Sequence, residues 1–379
     1  MLGSAAMAEV KPFRAVRYVE AAGPLQSLVA PPYDVISPEE RERFRAASSY
    51  NVVHLTLADD EAEAGRLWRE WRADGVLEDE PEGVWWLSQD YVGPDEVART
   101  REGLVAALRA EPYETRVVLP HERTHRGPKE GRLRLLRETR AQLEPLFFLY
   151  EGEPPARRPE REPDLEADGA RLWQLSLHGT KGVAEAFAER QLLIADGHHR
   201  YETALAYADE VGAGADDPSR FTLALLTDLD DPGLAVLPTH RVMKSGIAVT
   251  GGDPKGSLDE TLASLQGQVA AGIYRDHGYQ VLPLEGDVAV LELHQQVIDN
   301  LLGKRSAEDQ LLYTRDAEEA VRWVDEGVGV AAFFLDAPDL RQVLRLAREG
   351  KTLPQKATYF HPKPPSGMVF DRLERDRRL

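Results

Sequence analysis

The sequence predicts an α+β protein built from more than one packed unit, and three observations carry that expectation. Helix-like and strand-like segments occur together in every region of the chain. A length of 379 residues, 42% hydrophobic and 29% charged, is enough for two or three units with a substantial core. The stretch 191-QLLIADGHHRYETAL-205 reads as a short buried strand, a glycine turn and a helix in immediate succession.

In chain order, region 10–118 holds VAPPYDVISPEERERF, NVVHLTL, the helix-like EAEAGRLWREWRADGVL and the strand-like WWLSQDY and GLVAALRAEPYE. Region 119–245 holds LPHERTH and ADGHHRY, and within it the Pro- and charge-rich segment 151–168 reads as an exposed loop. Region 250–379 alternates AEEAVRWVDEG, VGVAAFFL and PDLRQVLRLAREG, helix-like and strand-like in turn, and no internal repeat is present.

Composition narrows the function classes. A net charge of −19 disfavours broad nucleic-acid binding, which needs a surplus of phosphate-neutralising cations. No apolar run approaches the 18 residues of a membrane span, and the start lacks the pattern of a secretory signal. Cysteine is absent, which excludes disulfides and thiolate chemistry and fits a cytoplasmic location. A small-molecule partner is therefore expected, with neither nucleic acid nor membrane; the oligomeric state is open.

The 191–211 pattern carries the most chemistry. A strand running through a glycine into a helix makes an anion site, because the first helical turn presents N–H groups and the positive end of the helix dipole. Gly197 lets backbone approach closely, while His198, His199 and Arg200 add donors suited to phosphate. Asp196 is placed to hold Mg²⁺ or to orient a hydroxyl; its bland alternative is a helix cap, with Arg200 paired to surface acids.

A second motif points elsewhere. His121-Glu122-Arg123-Thr124-His125 spells HExxH, the zinc-peptidase signature. That chemistry needs both histidines on one face of a continuous helix, and Gly127-Pro128 follows at once, without an apolar face. A charged loop is the better reading of these letters.

Several stretches together resemble a widespread prokaryotic family known as domain of unknown function 1015: APPYDVIS at 30–37, LPHERT at 119–124, GPKEGRLRLLRETRAQLEPLFFLY at 127–150, LLIADGHHRYETAL at 192–205, DPGLAVLPTHRVMK at 231–244 and LPQKATYFHPKPPSG at 353–367. DGHHRY is also similar to the phosphate-binding turn of the ParB/sulfiredoxin superfamily. Among its members the free-serine kinases carry a His-Glu-Thr-like segment, an Arg-Leu and an Asp-Gly-x-His-Arg-Tyr in the order in which His121-Glu122, Arg132-Leu133 and Asp196–Tyr201 occur here. The gap between Glu122 and Asp196 is longer than in those compact kinases, and the first and third regions have no counterpart in the minimal fold.

The resemblance implies a ParB/sulfiredoxin-like core with N- and C-terminal additions, and a Mg²⁺-dependent kinase passing a phosphoryl group from ATP or ADP to free L-serine. It makes Glu122 the base, Asp196 the acidic partner of Mg²⁺, and Gly197, His198, His199 and Arg200 the phosphate-binding set. Substrate contacts are assigned to Asp34 for an ammonium and to Arg241 or Lys244 for a carboxylate, with His240 either structural or in the site. Tyr33, Tyr201 and Phe360 read as packing, and Lys356 and Lys363 either reach phosphates or, as is commoner for lysine, lie at the surface. Two rival readings stand beside the kinase: a non-enzymatic nucleotide-binding regulator, and a metal-dependent hydrolase using HERTH.

Overall fold

In the computed structural model the described residues are 8–122, 126–176, 179–180, 182–246, 251–303 and 307–374, without the side chains of 126–129 and 308. Compactness divides the chain into two units. The first comprises Met1–Pro120, Thr124–Ala235 and Pro362–Leu379, and the second His121–Arg123 and Val236–His361. Region 10–118 and most of region 119–245, as far as Ala235, are separate in the sequence but share one unit. The architecture is mixed α+β, as expected.

The first unit is organised by a nine-stranded mixed sheet among the described residues. At its centre Ala98–Arg109 pairs antiparallel with Trp85–Val92 on one side and Phe221–Asp228 on the other. Phe221–Asp228 runs parallel to Leu146–Tyr150, which pairs antiparallel with Leu192–Asp196. Every residue of LFFLY at 146–150 is buried, the continuous apolar run of a strand covered on both faces. One face carries Leu104, Ala106, Phe148, Ile194 and Leu226 into a core closed by Phe187 and Tyr201.

A four-stranded sheet completes this unit, in the order Leu77–Gly83, Phe13–Tyr18, Phe370–Arg372, Ala141–Gln142. Val16, Tyr18 and Phe370 pack there with Trp68 and Trp71 of helix Glu61–Ala73 and with Leu135 of helix Arg126–Thr139. The second of these helices corrects the sequence reading of GPKEGR. Pro128 falls in its first turn, where the missing N–H costs nothing, and the helix does present buried leucines at 135 and 136.

Position along the strand decides where Asp196 points. Strict alternation would put Asp196 on the same face as Ile194, inside the apolar core. The pairing instead slips: Ile194 lies opposite Phe148, and Asp196 opposite Phe147, with Ala195 as the extra residue of a bulge. Cross-strand partners share a face, so the bulge moves the carboxylate to the Phe147 side of the sheet.

Among the described residues the second unit holds a six-stranded antiparallel sheet ordered Asp253–Lys255, Gly278–Pro283, Ala270–Arg275, Ala331–Phe334, His240–Met243, Leu311–Thr314. Helix Ala317–Asp325, capped by Asp316 accepting from the amides of Glu318 and Glu319, lays Ala320 against Val242, Tyr274 and Phe334. Among the described residues no helix is long and apolar enough to cross a membrane.

Candidate functional site

The turn after Leu192–Asp196 forms as its sequence requires. Gly197 adopts φ 97°, in the left-handed region, and helix His198–Glu210 starts directly from it. A Cβ here would lie 3.1 Å from Leu146 Cγ and 3.2 Å from Arg200 Nη2, so both conformation and space call for glycine. His198 is buried in the first helical turn; the hydroxyl of Thr203 donates to the His199 carbonyl.

Around this turn five charged groups alternate in sign. Asp196 accepts from Arg200 Nη2 at 2.8 Å through one oxygen and pairs with Lys363 Nζ at 2.6 Å through the other. Lys363 also donates to Asp34. Arg200 donates to the Pro145 carbonyl at 3.1 Å and lies 3.7 Å from Glu144 Oε2. The other Glu144 oxygen accepts from the Tyr33 amide at 3.1 Å and from Ser366 Oγ at 2.7 Å. Arg132 stacks 3.8 Å from the centre of the Tyr33 ring. Four segments remote in sequence, PPYD, LEP, DGHHR and KPPS, thereby meet.

The ionisation of these groups follows from burial and partners. Burial alone would raise the Asp196 carboxyl, but Lys363 and Arg200 outweigh it and hold the group below the ordinary carboxylate range. Burial opposes the charge on Lys363 and Arg200 too, yet their carboxylate neighbours push both well above the usual values. All three stay ionised at neutral pH. A cavity of about 40 Å³ borders Arg132, Glu144 and Arg200, room for a water or two.

The Mg²⁺ expected at Asp196 does not suit this arrangement. Mg²⁺ takes one or two open carboxylates in addition to substrate phosphates and water. Both Asp196 oxygens are engaged by cations, and among the described residues no group of three or more His, Asp or Glu side chains is placed to hold a metal ion.

Glu122, His240 and Arg241 belong to the second unit, where three motifs converge on 353–360. Glu122 bridges Leu353 in a parallel β-bridge, and its carboxylate accepts from the amides of Ala357 at 3.0 Å and Lys356 at 3.3 Å. His121 is buried, its Nε2 2.7 Å from Thr358 Oγ1. Neither residue is helical, which removes the geometry a zinc peptidase needs; Arg123, Thr124 and His125 lie outside the described residues. Arg241 is fully buried and donates to the carbonyls of Thr239 and, at 3.0 Å, Lys356. Burial lowers it to about 10, against the pull of Tyr313 and Glu122. It serves as a backbone anchor, a different use from the carboxylate clamp read from sequence.

His240 is also buried, edge-on to Phe334, with Nδ1 accepting from the Leu335 amide at 3.4 Å. Burial, reinforced by Arg241, lowers its pKa to about 4, so the ring is neutral at pH 7. The unfolded chain takes up this proton near pH 6.5 and the folded chain only near 4. Stability from this group is therefore intact above 6.5 and is lost as pH falls toward 4, by about 3 kcal/mol in all. His240→Asn, which keeps an acceptor and does not titrate, is expected to flatten the calorimetric stability profile between pH 6.5 and 4. An unchanged slope would refute that origin.

Of the charged cluster, Glu144 carries no signal in the sequence, and Lys363 is there either a phosphate contact or a surface lysine. The Lys363 side chain is only 8% exposed, which rules out the surface position. Glu144 lies inside the 127–150 stretch with no motif of its own. Proline on both sides of Lys363 is the signal that it occupies a stiff, extended segment. Tyr201 and Phe360 pack as expected, both buried, with the Tyr201 hydroxyl bonded to the Glu111 backbone.

No curated protein matches the chain. Among solved structures it is similar to a free serine kinase in complex with AMP, at 16% identity over 69% of this chain and 90% of that one, with a TM-score of 0.40. It is also similar to a conserved hypothetical protein from Pyrococcus furiosus, at 16% identity over 67% and 91%, with a TM-score of 0.36. A third is SbnI with C-terminal truncation from Staphylococcus aureus, at 12% identity over 69% and 84%, with a TM-score of 0.37. Likeness this low carries neither a fold nor an activity across. The sequence match to the family described as "Protein of unknown function (DUF1015)" is of another order. It runs over residues 10–302, well over half of the 379, and takes in PPYD, Glu144 and the DGHHR turn; the chain belongs to that family.

Proposed function

We propose that this protein is a nucleotide-dependent phosphotransferase that holds ATP or ADP at the 196–200 turn and passes a phosphoryl group to a small alcohol, with free L-serine as the leading acceptor. A ParB/sulfiredoxin-like core around that turn is part of the proposal. The observation behind it is the strand–Gly197–helix turn with Arg200 and Lys363, two buried and firmly protonated cations, on one side of it. Phosphoryl transfer asks a protein mainly to position the phosphates and to stabilise their charge, which a helix N-terminus and two fixed cations do.

Three carboxylates face two cations in the cluster, so a polyphosphate would need to bring a cation of its own. Mg²⁺ accordingly enters with the nucleotide, as part of the substrate. Glu122 is the proposed proton acceptor on the strength of the sequence likeness to the free-serine kinases, and Asp34 the proposed ammonium contact.

The mutual satisfaction of the five charges favours a second reading, a nucleotide-binding regulator without turnover. Phosphorus NMR on the purified protein with Mg²⁺, L-serine and either ATP or ADP separates the two. A new phosphomonoester signal that requires serine establishes the kinase. Nucleotide that binds and stays intact leaves the regulator. If neither nucleotide binds at millimolar concentration, both readings fail.

A further inference from the structure

Arg101 is a charge buried at the centre of the first unit's sheet. It sits on the central strand Ala98–Arg109, fully buried, where the attraction of Asp231 and Tyr91 offsets only part of the desolvation. Among the described residues its Nε has no hydrogen-bond partner, and burial pulls its pKa down to about 9. A buried guanidinium is costly, so its bonds should answer a specific need.

Those bonds all lead to one place. Nη1 donates to the Pro362 carbonyl at 2.6 Å, and Nη2 donates to the Gln89 side-chain oxygen. Gln89, on the neighbouring strand directly opposite Arg101, turns its own amide N–H to the Lys363 carbonyl at 3.2 Å. Two successive carbonyls are thus grasped from the sheet. Pro362 fixes its own φ, and Pro364 restricts Lys363 to extended backbone. The guanidinium also lies 4.7 Å over the Phe147 ring, the face onto which the bulge turns Asp196.

We propose that Arg101 and Gln89 are positioning residues for Lys363: they hold its backbone at the height from which the ammonium spans Asp34 and Asp196, keeping a fixed cation beside the turn for an anionic polyphosphate ligand. The role for that ligand rests on the function proposed above; the clamp itself does not. A plain anchor for the C-terminal segment would stabilise the fold without governing Lys363 in particular.

The test measures acylation of Lys363 by an amine-reactive ester on the full-length protein, followed by mass spectrometry, with exposed Lys351 as internal reference. In the unmodified protein Lys363 reacts much more slowly than Lys351. Gln89→Ala removes the bond to the Lys363 carbonyl and the acceptor of Arg101 Nη2 together, leaving the Arg101–Pro362 bond in place, and loss of the bond that holds Lys363 raises the locally open population about fivefold. The expected result is a fivefold faster reaction at Lys363, unchanged at Lys351 and insensitive to urea below the unfolding transition. Arg101→Met is expected to act more strongly and Arg101→Lys, which reaches one carbonyl, less. Should Arg101→Met fail to fold, Gln89→Ala still decides. An unchanged Lys363 rate in folded Gln89→Ala, or an increase that appears only with urea, overturns the clamp. Faster Lys363 in a protein that binds no nucleotide supports the clamp while the nucleotide reading falls.

Discussion

Lys363→Met is expected to lower the stability of the first unit by about 3 kcal/mol at pH 7, the lower end of the cost of removing one partner from a buried ion pair. The lower end applies because Asp196 keeps Arg200 and because Asp34, about a third exposed, regains water. The pH dependence identifies the cause. Asp196 has a depressed folded pKa, so its contribution is present above the unfolded value of 3.8 and is lost as pH falls through the folded one. Lys363 has a raised folded pKa, so its contribution is complete below 10.5 and is lost only as pH rises beyond that. The gap between the two proteins should be level from pH 5 to 9 and close below 4, as the carboxylates protonate. Five of the six tryptophans, at 68, 71, 85, 86 and 173, belong to this unit, so urea unfolding followed by tryptophan fluorescence reads it directly. A gap under about 1 kcal/mol at pH 7 would mean an ordinary surface pair. Weaker nucleotide binding in the same variant would add the functional half.

Glu122→Gln is expected to cut phosphoryl transfer by a factor of about 10² to 10⁴ while nucleotide affinity holds, the effect of losing a general base. The structure supplies the competing explanation and a way to separate it. The Glu122 carboxylate accepts from the amides of Lys356 and Ala357, and glutamine can accept at only one of those positions. Its NH₂ would face an N–H at the other, a loss of about 1–3 kcal/mol in stability. A base predicts a large fall in turnover at temperatures where the variant is fully folded. An anchor predicts a lowered melting temperature with turnover near normal in the folded fraction. Stability and rate measured on the same sample therefore assign the residue.

Much of the local structure was legible from the letters. The strand, turn and helix at 192–210, the helix at Glu61–Ala73 and the helix–strand–helix run at 317–348 are short-range patterns, each set by apolar spacing and by glycine conformation within a few residues. The exposed loop expected at 151–168 is largely irregular chain, with one short strand at Leu165–Ala167. HERTH shows the opposite limit. The same letters that spell a metal motif lie, at His121 and Glu122, in a β-bridge, because the partner of that backbone is Leu353, more than 200 residues away.

By itself the sequence determined the family, the alternation of helices and strands, and the DGHHR turn, because each depends on neighbours along the chain. Only the tertiary structure decided which charges face that turn. Asp34, Glu144 and Lys363 are each more than a hundred residues apart, and they meet because sheet pairing and a one-residue bulge carry Asp196 to the side where the chain returns at 362–366. A lysine is ordinarily solvated, and nothing within a few residues of Lys363 announces the two carboxylates that make its burial tolerable. Likewise Glu122 and Asp196, given complementary roles by the resemblance, fall in different compact units, since unit membership is settled by long-range packing of apolar faces and not by order along the chain.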